Sequence, residues 1–515
     1  MKEFRNEPVL DFTNPTNLRK QRAALERVRT QFGKEYPNIV GGKKLLTEAK
    51  TISRNPAHPN EVIGVFQKSG TEHAEQAINA ALKAFESWKN VPPKQRAQYL
   101  FKAAREIRRR RFEINAWMIS EVGKNYSEAD ADTCEAIDFL EFYGREMLRY
   151  GQPQPVTPVP GEANELFYIP LGVGIILPPW NFPFAILVGM TSAAIVTGNT
   201  VVLKPSSDSP MMGWLFADIM RSVGLPDGVL NFLVASGAEA GDYLVAHPKT
   251  RFVAFTGSME VGLHINELAA KPQPGQIWIK RVIAEMGGKD AIIVDSQADL
   301  DAAVQGVVVS AFGFQGQKCS ACSRAIVDRA IYKEFVAKLR DAVAALRIGP
   351  PEENFPVGPV VNERQKNTIL RYIEIGKQEG KLLIGGNAID DPSGGYYIEP
   401  TVFIDVKPDA RIAQEEIFGP VLAVIKARDF DDALRIANGT IYGLTGSVYS
   451  RNRQKLERAR VEFHVGNLYL NRKCTGALVG GHPFGGFNMS GTDSKAGGRD
   501  YLLLFLQAKS VSRKL

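Results

Sequence analysis

Short apolar runs alternate with longer amphipathic stretches through the middle of the chain. This alternation is typical of a parallel, doubly wound α/β sheet, whose strands are buried on both faces by the helices that connect them. In the first half, each pair of apolar runs is separated by a helical pattern. The strands predicted there are 172–177, 200–204, 229–234 and 252–255.

The same alternation starts again near residue 285. Helical patterns at 302–312 and 331–346 separate some of the apolar runs of this second half. We therefore predict an α/β fold with two doubly wound domains in series. The strands predicted for the second domain are 291–294, 325–327, 421–425 and 446–449.

The segments outside the two sheets have different patterns. Residues 1–60 are mixed and polar, which predicts an N-terminal arm with short strands. Residues 151–164 contain four prolines and no helical period, so we expect an extended segment or an exposed hairpin arm. The tail 501–515 alternates and predicts an edge strand that needs a partner. Amphipathic helices are predicted at 71–84, 93–122 and 127–150.

The composition adds limits on the class of protein. Of the 515 residues, 23% are charged and 44% hydrophobic, which is close to average soluble usage and excludes disorder, collagen and coiled coil. Four cysteines are too few for a disulfide scaffold, so we expect a reducing compartment, the cytoplasm. The charged N-terminus has no apolar segment, so no signal peptide is expected.

Charge and hydropathy argue against nucleic-acid and membrane partners. The net charge of +7 is spread along the chain, and the basic run 108–111 lies beside acidic residues, as on a solvated helix face. Residues 166–203 carry no charge, but prolines and asparagines divide them. The longest apolar helix candidate, 182–196, is shorter than the roughly 20 residues a span needs.

A cysteine in the glycine-rich stretch 313–322 is the first candidate for chemistry. Cys319 follows Lys318 in a turn, a setting that lowers the pKa of a thiol and leaves the sulfur accessible. The spacing to Cys322 also makes a C-x-x-C motif, which is typical of dithiol redox pairs and zinc sites. A redox pair belongs at the start of a small thioredoxin-like unit, and the six histidines have no ligand spacing. We therefore expect a nucleophile and no metal.

Four other positions place polar groups where ligands can bind. Lys204 ends a predicted strand, where a ribose or phosphate can be held, and Gly257-Ser258 joins a strand to a helix whose free N–H groups suit phosphate. Glu285 precedes two glycines and suits a general base, and the Asn181 amide could donate to an oxyanion. Taken singly, an ordinary turn, a solvated lysine or a hydrogen-bonded buried amide explains each of them as well.

Seven short motifs occur together, and as a set they resemble the aldehyde dehydrogenase superfamily from about residue 40 onward. The resemblance implies a Rossmann-like NAD(P)-binding domain at 1–150 and 170–284, and a catalytic domain at 285–475. It also implies a small β oligomerisation arm, at 151–169 and 495–515. The motifs are PWNFP (179–183), VVLKPS (201–206), FTGS (255–258), EMGGK (285–289), GQKCSA (316–321), EEIFGP (415–420) and PFGG (483–486).

The resemblance also implies a mechanism. The Cys319 thiolate would attack an aldehyde, the Asn181 amide and the Cys319 backbone N–H would hold the oxyanion, and Glu285 would activate water to hydrolyse the thioester. NAD would take the hydride. The cofactor residues implied are Trp180, Lys204, Ser207, Gly257, Ser258, Glu416 and Phe418.

Within the superfamily, the chain is most similar to the branch that oxidises L-glutamate-γ-semialdehyde to L-glutamate in proline degradation. The similarity rests on 311–320, 464–472, 475–480 and 490–495. The alternative is another semialdehyde, such as succinic semialdehyde; an idle scaffold would not need Cys319, Glu285 and Asn181 together. The substrate residues implied are Ser320, Gly476 and Ala477 for the α-carboxylate, and Phe182 and Phe484 for the aliphatic chain.

Two positions depart from the family pattern. Ser207 stands where many members have a glutamate, and a neutral residue does not repel a 2′-phosphate, so NADP is possible beside NAD. Cys322 stands where a small non-thiol residue is usual, and we hypothesise a disulfide with Cys319 under oxidation. The resemblance further implies a homo-oligomer, a dimer or a multiple of dimers, and functional pairing with a proline dehydrogenase.

Overall fold

The computed structural model describes residues 3–515 and places fifteen α-helices and twenty-one strands in them. The helices are α1 (Pro15–Arg29), α2 (Thr71–Trp88), α3 (Pro93–Arg109), α4 (Arg111–Val122), α5 (Tyr126–Tyr150), α6 (Ala185–Val196), α7 (Pro210–Ser222), α8 (Asp242–Ala246), α9 (Met259–Ala270), α10 (Leu300–Phe312), α11 (Tyr332–Ala344), α12 (Glu363–Glu379), α13 (Arg411–Gln414), α14 (Phe430–Asn438) and α15 (Arg453–Glu462).

The strands are mostly short and buried. They are β1 (Glu35–Tyr36), β2 (Asn38–Val40), β3 (Lys43–Leu45), β4 (Lys50–Arg54), β5 (Val62–Gln67), β6 (Glu162–Pro170), β7 (Val173–Leu177), β8 (Thr200–Leu203), β9 (Leu230–Phe232), β10 (Thr250–Thr256), β11 (Arg281–Glu285), β12 (Ala291–Val294), β13 (Arg324–Asp328), β14 (Lys381–Ile384), β15 (Thr401–Ile404), β16 (Val421–Ala427), β17 (Tyr442–Gly443), β18 (Thr445–Tyr449), β19 (Asn467–Leu470), β20 (Phe487–Asn488) and β21 (Leu506–Lys514).

A seven-stranded sheet in the order β11-β10-β7-β8-β9-β2-β3 organises the first half. Its first five strands are parallel, and β2 and β3 extend it antiparallel. Successive strand residues point to opposite faces, so Ile175 packs in one core with α2, α8 and α9, while Ile176 packs in another with α3, α5, α6 and α7. Both faces are therefore covered, as the apolar runs predict.

A second seven-stranded sheet, β14-β15-β16-β13-β12-β18-β19, organises the second half. All its pairings are parallel except that of β14 with β15. Its two faces also belong to separate cores, with Ile293 on one and Ile292 on the other. The predicted α/β class with two doubly wound sheets is confirmed.

The C-terminal strand pairs with a distant segment. β21 lies antiparallel to β6 over nine residues, from Leu506 opposite Pro170 to Lys514 opposite Glu162. Most of β21 is exposed, as is usual for an isolated two-stranded ribbon. The tail prediction of an edge strand is thus confirmed for 506–514, although residues 501–505 form a 3₁₀ turn.

Of two predictions for the N-terminal third, one is incomplete and one is wrong. The short strands expected in residues 1–60 are present as β1–β4, but a helix was not predicted there. Residues 15–29 form α1, because Asn14 caps it by accepting the N–H of Thr16, while its apolar positions are too sparse to give a helical period. The pattern at 93–122 is two helices, α3 and α4, which meet at Arg110.

The basic run at this junction is also not a solvated face. Arg110 pairs with Glu113 and Asp218, and Arg111 pairs with the fully buried Asp130. Their side chains are only 12% and 10% exposed, so half of the run is largely buried. Within residues 3–515, no helix combines the length and the apolar character needed to cross a membrane.

Candidate active site

One cavity brings together seven of the residues identified in the sequence. It opens at the carboxyl ends of β10 and β11, where Thr256 and Glu285 line it, and α5 and α6 form another wall. Ligands of parallel sheets bind at this edge, because the connecting loops diverge there. The predicted residues that line the cavity are Phe182, Glu285, Cys319, Ser320, Gly476, Ala477 and Phe484.

Cys319 lies on a loop with an unusual backbone. After α10 the chain turns through Phe314 and Gln315 with φ of 49° and 55°, values that cost a non-glycine residue about 1–3 kcal/mol. The Gln315 amide donates to the Pro359 carbonyl at 2.8 Å, which holds the turn. Gly316 follows with φ 67°, and a Cβ there would lie 2.2 Å from the Gly419 carbonyl oxygen. Contacts with the segments around Pro359 and Gly419 therefore fix the loop that carries the thiol.

The surroundings of Cys319 do not favour a thiolate in the resting protein. The sulfur is partly accessible, yet burial and the negative charges of Asp290, Glu416 and Glu285 raise its pKa. The predicted lowering of that pKa by Lys318 is wrong, because the Lys318 ammonium pairs with Glu128 at 2.7 Å instead. The thiol therefore needs a base, or a positive charge brought by a ligand, to become a nucleophile.

Glu285 ends β11 and is 8% exposed. Its carboxylate accepts the Ser494 hydroxyl at 2.6 Å, the Ser494 N–H at 3.1 Å and the Gly486 N–H at 3.0 Å. Burial raises the pKa of Glu285 to about 7, and these three donors oppose the rise. A carboxyl group with a pKa near neutrality is suited to proton transfer.

Asn181 is buried in the loop between β7 and α6. Its amide nitrogen donates to the carbonyl of Gln317 at 3.0 Å, two residues before the candidate nucleophile. The Gln317 side chain accepts the Val361 N–H at 2.9 Å, so this segment is tied down on both sides. An amide group has two N–H donors, and within residues 3–515 the second N–H of Asn181 has no hydrogen-bond partner.

The candidate carboxylate site lies between two loops. Ser320 is buried next to Cys319, and its carbonyl contacts the Cys474 sulfur at 3.3 Å. Gly476 has φ 77°, and the Arg472 guanidinium donates to its carbonyl at 3.1 Å. With its carbonyl turned to Arg472, this turn leaves backbone N–H groups for an anionic ligand.

Motifs did not identify every side chain of the cavity. Glu135 on α5 lines it, and burial together with the charge of Asp132 raises the pKa of Glu135 to about 8. Ser494 and His482 also line it. Helical periodicity gave no signal for Glu135, since an acidic residue inside an amphipathic helix is usually solvated.

The predicted cofactor residues lie at the ends of the first sheet and on the facing loop. Burial lowers the pKa of Lys204 to about 8, and its ammonium donates only long bonds of 3.4 Å to two carbonyls. Ser258 caps α9 by accepting the Val261 N–H, and Ser207 is exposed. Gly257 precedes Ser258, and its N–H donates to the carbonyl of Glu285.

The other end of the candidate cofactor site carries a buried carboxyl and two aromatic rings. Glu416 accepts the Gly288 N–H at 3.0 Å, and burial raises its pKa to about 7. Trp180 and Phe418 meet edge to face, with ring centroids 5.5 Å apart. No group of three or more histidine, cysteine or acidic side chains within residues 3–515 is arranged to hold a metal.

The second cysteine of the C-x-x-C motif lies away from the cavity. Cys322 is buried, its sulfur contacts the Arg324 carbonyl at 3.4 Å, and burial and a hydrogen bond with Cys474 raise the pKa of Cys322. The four cysteines, all within the described range, are free. A disulfide between Cys319 and Cys322 stays a hypothesis.

The chain is similar to known proteins over nearly its whole length. The aldehyde dehydrogenase family model matches residues 46–511. A 1-pyrroline-5-carboxylate dehydrogenase of Geobacillus thermodenitrificans is 58% identical over 510 residues, 99% of each chain.

The fold of the chain also matches solved structures. A Thermus 1-pyrroline-5-carboxylate dehydrogenase with bound NAD has a TM-score of 0.99 at 53% identity over 100% of both chains. Proline utilization A of Bdellovibrio bacteriovorus has a TM-score of 0.97 at 45% identity, covering 99% of this chain and 53% of that one. The chain belongs to the aldehyde dehydrogenase family.

Proposed function

We propose that the protein oxidises L-glutamate-γ-semialdehyde, formed by ring opening of 1-pyrroline-5-carboxylate, to L-glutamate, with NAD, in proline degradation. The observation that carries this proposal is the one cavity that Cys319 and Glu285 line together with Ser320, Gly476 and Ala477. A nucleophile and a base in the same cavity as anion-binding groups suit an aldehyde that also carries a carboxylate. The similarity to proteins named for this activity supports the same substrate.

The chemistry proceeds on the Cys319 sulfur. The thiolate forms a bond to the aldehyde carbon, and the Asn181 amide and Cys319 backbone N–H stabilise the resulting oxyanion. Bound NAD would supply the acceptor for the hydride of this carbon, which leaves a thioester on Cys319. Glu285 then takes a proton from water as the water oxygen attacks the thioester carbon, and the C–S bond breaks to release the carboxylic acid and regenerate the thiolate.

Neutral donors and one carboxyl group recognise the amino-acid end of the substrate. The Ser320 hydroxyl and the N–H groups of Gly476 and Ala477 bind the α-carboxylate, and Phe182 and Phe484 enclose the aliphatic chain. Glu135 lines the same cavity and pairs with the α-ammonium. Succinic semialdehyde has no ammonium group, so this carboxyl favours the amino acid over that alternative.

The residues present fit a dinucleotide. The Lys204 ammonium is buried with only long hydrogen bonds, so a ribose hydroxyl would give it a better partner. The Gly257-Ser258 turn at the start of α9 and the Trp180 ring border the pyrophosphate. Glu416 would bind the second ribose, and Phe418 would lie at the nicotinamide end. Ser207, exposed and neutral, leaves room for a 2′-phosphate, so NADP is accepted beside NAD.

The exposed ribbon, the similarity to solved structures and the free cysteines support an oligomer, a partner enzyme and a cellular location. The exposed β6–β21 ribbon is the oligomerisation arm, and its pairing with a second copy gives a dimer or a multiple of dimers. The similarity to half of proline utilization A supports functional pairing with a proline dehydrogenase. Four free cysteines support the cytoplasm, where thiols stay reduced.

NADH formation with 1-pyrroline-5-carboxylate tests the proposal. Turnover should be fastest with this substrate, slower with succinic semialdehyde and slowest with short unsubstituted aldehydes. Repeating the assay with NADP measures cofactor choice. The Cys319→Ala variant should lose acid formation, by at least about 10³-fold, while it still binds NAD in a calorimetric titration. Wild-type turnover in that variant would exclude Cys319 as the nucleophile.

A further inference from the structure

Ser494 makes two hydrogen bonds to the candidate general base. Its hydroxyl donates to Glu285 Oε1 at 2.6 Å and its N–H donates to the same oxygen at 3.1 Å. Ser494 is 5% exposed, and it lines the cavity together with Glu285 and Cys319. No other side chain of the described residues is seen to hydrogen-bond to the Glu285 carboxylate; the remaining donor is the Gly486 backbone N–H.

We propose that Ser494 is a positioning residue for Glu285 in thioester hydrolysis, a role that rests on the proposed function. An ionised carboxylate has about four acceptor sites. Ser494 and Gly486 occupy three of them from the loop 485–494, so a single site is left to take the proton from water. Without the hydroxyl, only the two backbone N–H donors remain, and a second acceptor site opens on Glu285 Oε1. Water then no longer meets a single open site on the carboxylate.

The hydroxyl also keeps the base ionised. Burial raises the pKa of Glu285, whereas the Ser494 hydroxyl, as a donor to the charged form, lowers it. The other charged or titratable groups facing Glu285 are Lys495, Tyr501 and Cys319. Lys495 donates to the Gly466 and Gly485 carbonyls rather than to Glu285, so it acts only through its charge.

Loss of the Ser494 hydroxyl should shift the pH dependence of thioester hydrolysis. Removing the hydroxyl raises the pKa of Glu285, so a smaller fraction is ionised at neutral pH. The acid limb of the hydrolysis rate therefore moves to higher pH, and hydrolysis at pH 7 slows. A hydrogen bond to a charged group contributes about 1.5–3 kcal/mol, which corresponds to a loss of roughly ten- to a hundredfold.

Hydrolysis can be isolated from hydride transfer with p-nitrophenyl acetate and no nucleotide. The Cys319 thiolate forms a bond to the acetyl carbon and p-nitrophenolate leaves, which gives an acetyl thioester. After excess ester is removed, intact mass follows the loss of the acetyl group as water attacks with the help of Glu285. The rate is measured across pH values on both sides of the Glu285 pKa of about 7.

We expect Ser494→Ala to be acetylated to the wild-type extent, to lose the acetyl group at least about tenfold more slowly at pH 7, and to shift the acid limb upward. Ser494→Thr keeps a hydroxyl and should restore both the rate of acetyl loss at pH 7 and the position of the acid limb of the pH profile. Ser490→Ala is the matched control, because this buried serine binds the Gly443 N–H instead of Glu285. If Ser494→Ala fails to fold, Ser494→Cys can be measured in the same way, because its side chain is of similar size and its thiol is a weaker donor than the hydroxyl.

Four outcomes would overturn the inference. An unchanged acid limb in Ser494→Ala, or the same shift in Ser490→Ala, removes the role of Ser494 and leaves the proposed function standing, provided that Glu285→Gln retains its acetyl group. If the wild-type protein is not acetylated at Cys319, or if Glu285→Gln hydrolyses normally, the proposed chemistry itself fails and the inference fails with it.

Discussion

Two carboxyl groups in one cavity have their pKa raised by burial, and their neighbours give them different tasks. Glu285 accepts three hydrogen bonds, which keep its pKa near 7 despite full burial. Glu135 lies near the like charge of Asp132, and its pKa is about 8. At neutral pH the empty protein therefore holds Glu135 mostly protonated, and an ammonium ligand would favour its ionised form.

Replacing Glu135 tests recognition of the amino group. Glu135→Gln keeps the shape but cannot ionise, so KM for glutamate-γ-semialdehyde should rise by about tenfold or more, with a smaller change in kcat. Steady-state kinetics at saturating NAD would measure this. Propanal has no ammonium group and serves as the control; an equal rise in its KM would show a general disturbance of the cavity.

Part of the site could be predicted from residue order alone. Motifs identified Cys319, Glu285 and Asn181, because turns rich in glycine and proline can be recognised from a few neighbouring residues. They did not show that Lys318 points to Glu128 rather than to the thiol, because that pairing joins residues 190 positions apart. Side-chain direction on a loop depends on tertiary neighbours, which spacing does not encode.

At the scale of elements, a buried ion pair holds the helices behind the cavity. Lys124 follows α4, and its ammonium pairs with Asp132 of α5 at 2.7 Å, with both side chains fully buried. Asp132 also accepts the Ala185 N–H at the start of α6. The ammonium lies 4.2 Å from the centre of the Phe182 ring and 4.8 Å from that of Phe314. The pair thus connects the cavity wall to the nucleophile loop.

Breaking this pair should destabilise the protein strongly. Lys124→Met leaves a buried carboxylate without a partner, a change that costs about 3–5 kcal/mol. The urea midpoint, followed by circular dichroism, should fall accordingly. Lys271→Met breaks the exposed pair with Glu267 and is the control, expected within about 1 kcal/mol of wild type. Equal effects of the two variants would contradict the argument.

The predicted boundaries of an element were accurate where the local sequence pattern was strong. β12 has the predicted bounds, because its four apolar residues lie between polar residues on both sides. α1 was missed because most of its residues face solvent and its capping side chain, Asn14, is common in any loop. The junction at Arg110 has no proline or glycine, and its position depends on ion pairs with distant residues.

At the scale of the whole molecule, the β6–β21 ribbon stands apart from both seven-stranded sheets. A two-stranded ribbon is marginal by itself in water. Val511 on β21 is 40% exposed, and Leu515, directly after the strand, is 77% exposed. A second copy of the chain that covers this ribbon would bury these apolar groups and complete its unpaired edge.

Removing the ribbon should separate the subunits. A chain that ends at Leu506 keeps Tyr501 in the cavity wall but loses β21, so it should sediment as a monomer. Analytical ultracentrifugation of both chains over a range of concentrations would measure this. Acetylation of Cys319 in the shortened chain is the control for a folded cavity. Sedimentation identical to that of the full chain would place the interface elsewhere.

The ion pair between Lys318 and Glu128 has a practical consequence for labelling. Burial and the nearby acidic groups raise the pKa of Cys319, and the Lys318 ammonium, engaged with Glu128, does not oppose them, so we expect slow reaction with alkylating reagents such as iodoacetamide. A bound ligand that brings positive charge or recruits the base would speed that reaction. The alkylation rate of this one side chain therefore reports how much of the enzyme in a sample is occupied, without any turnover being measured.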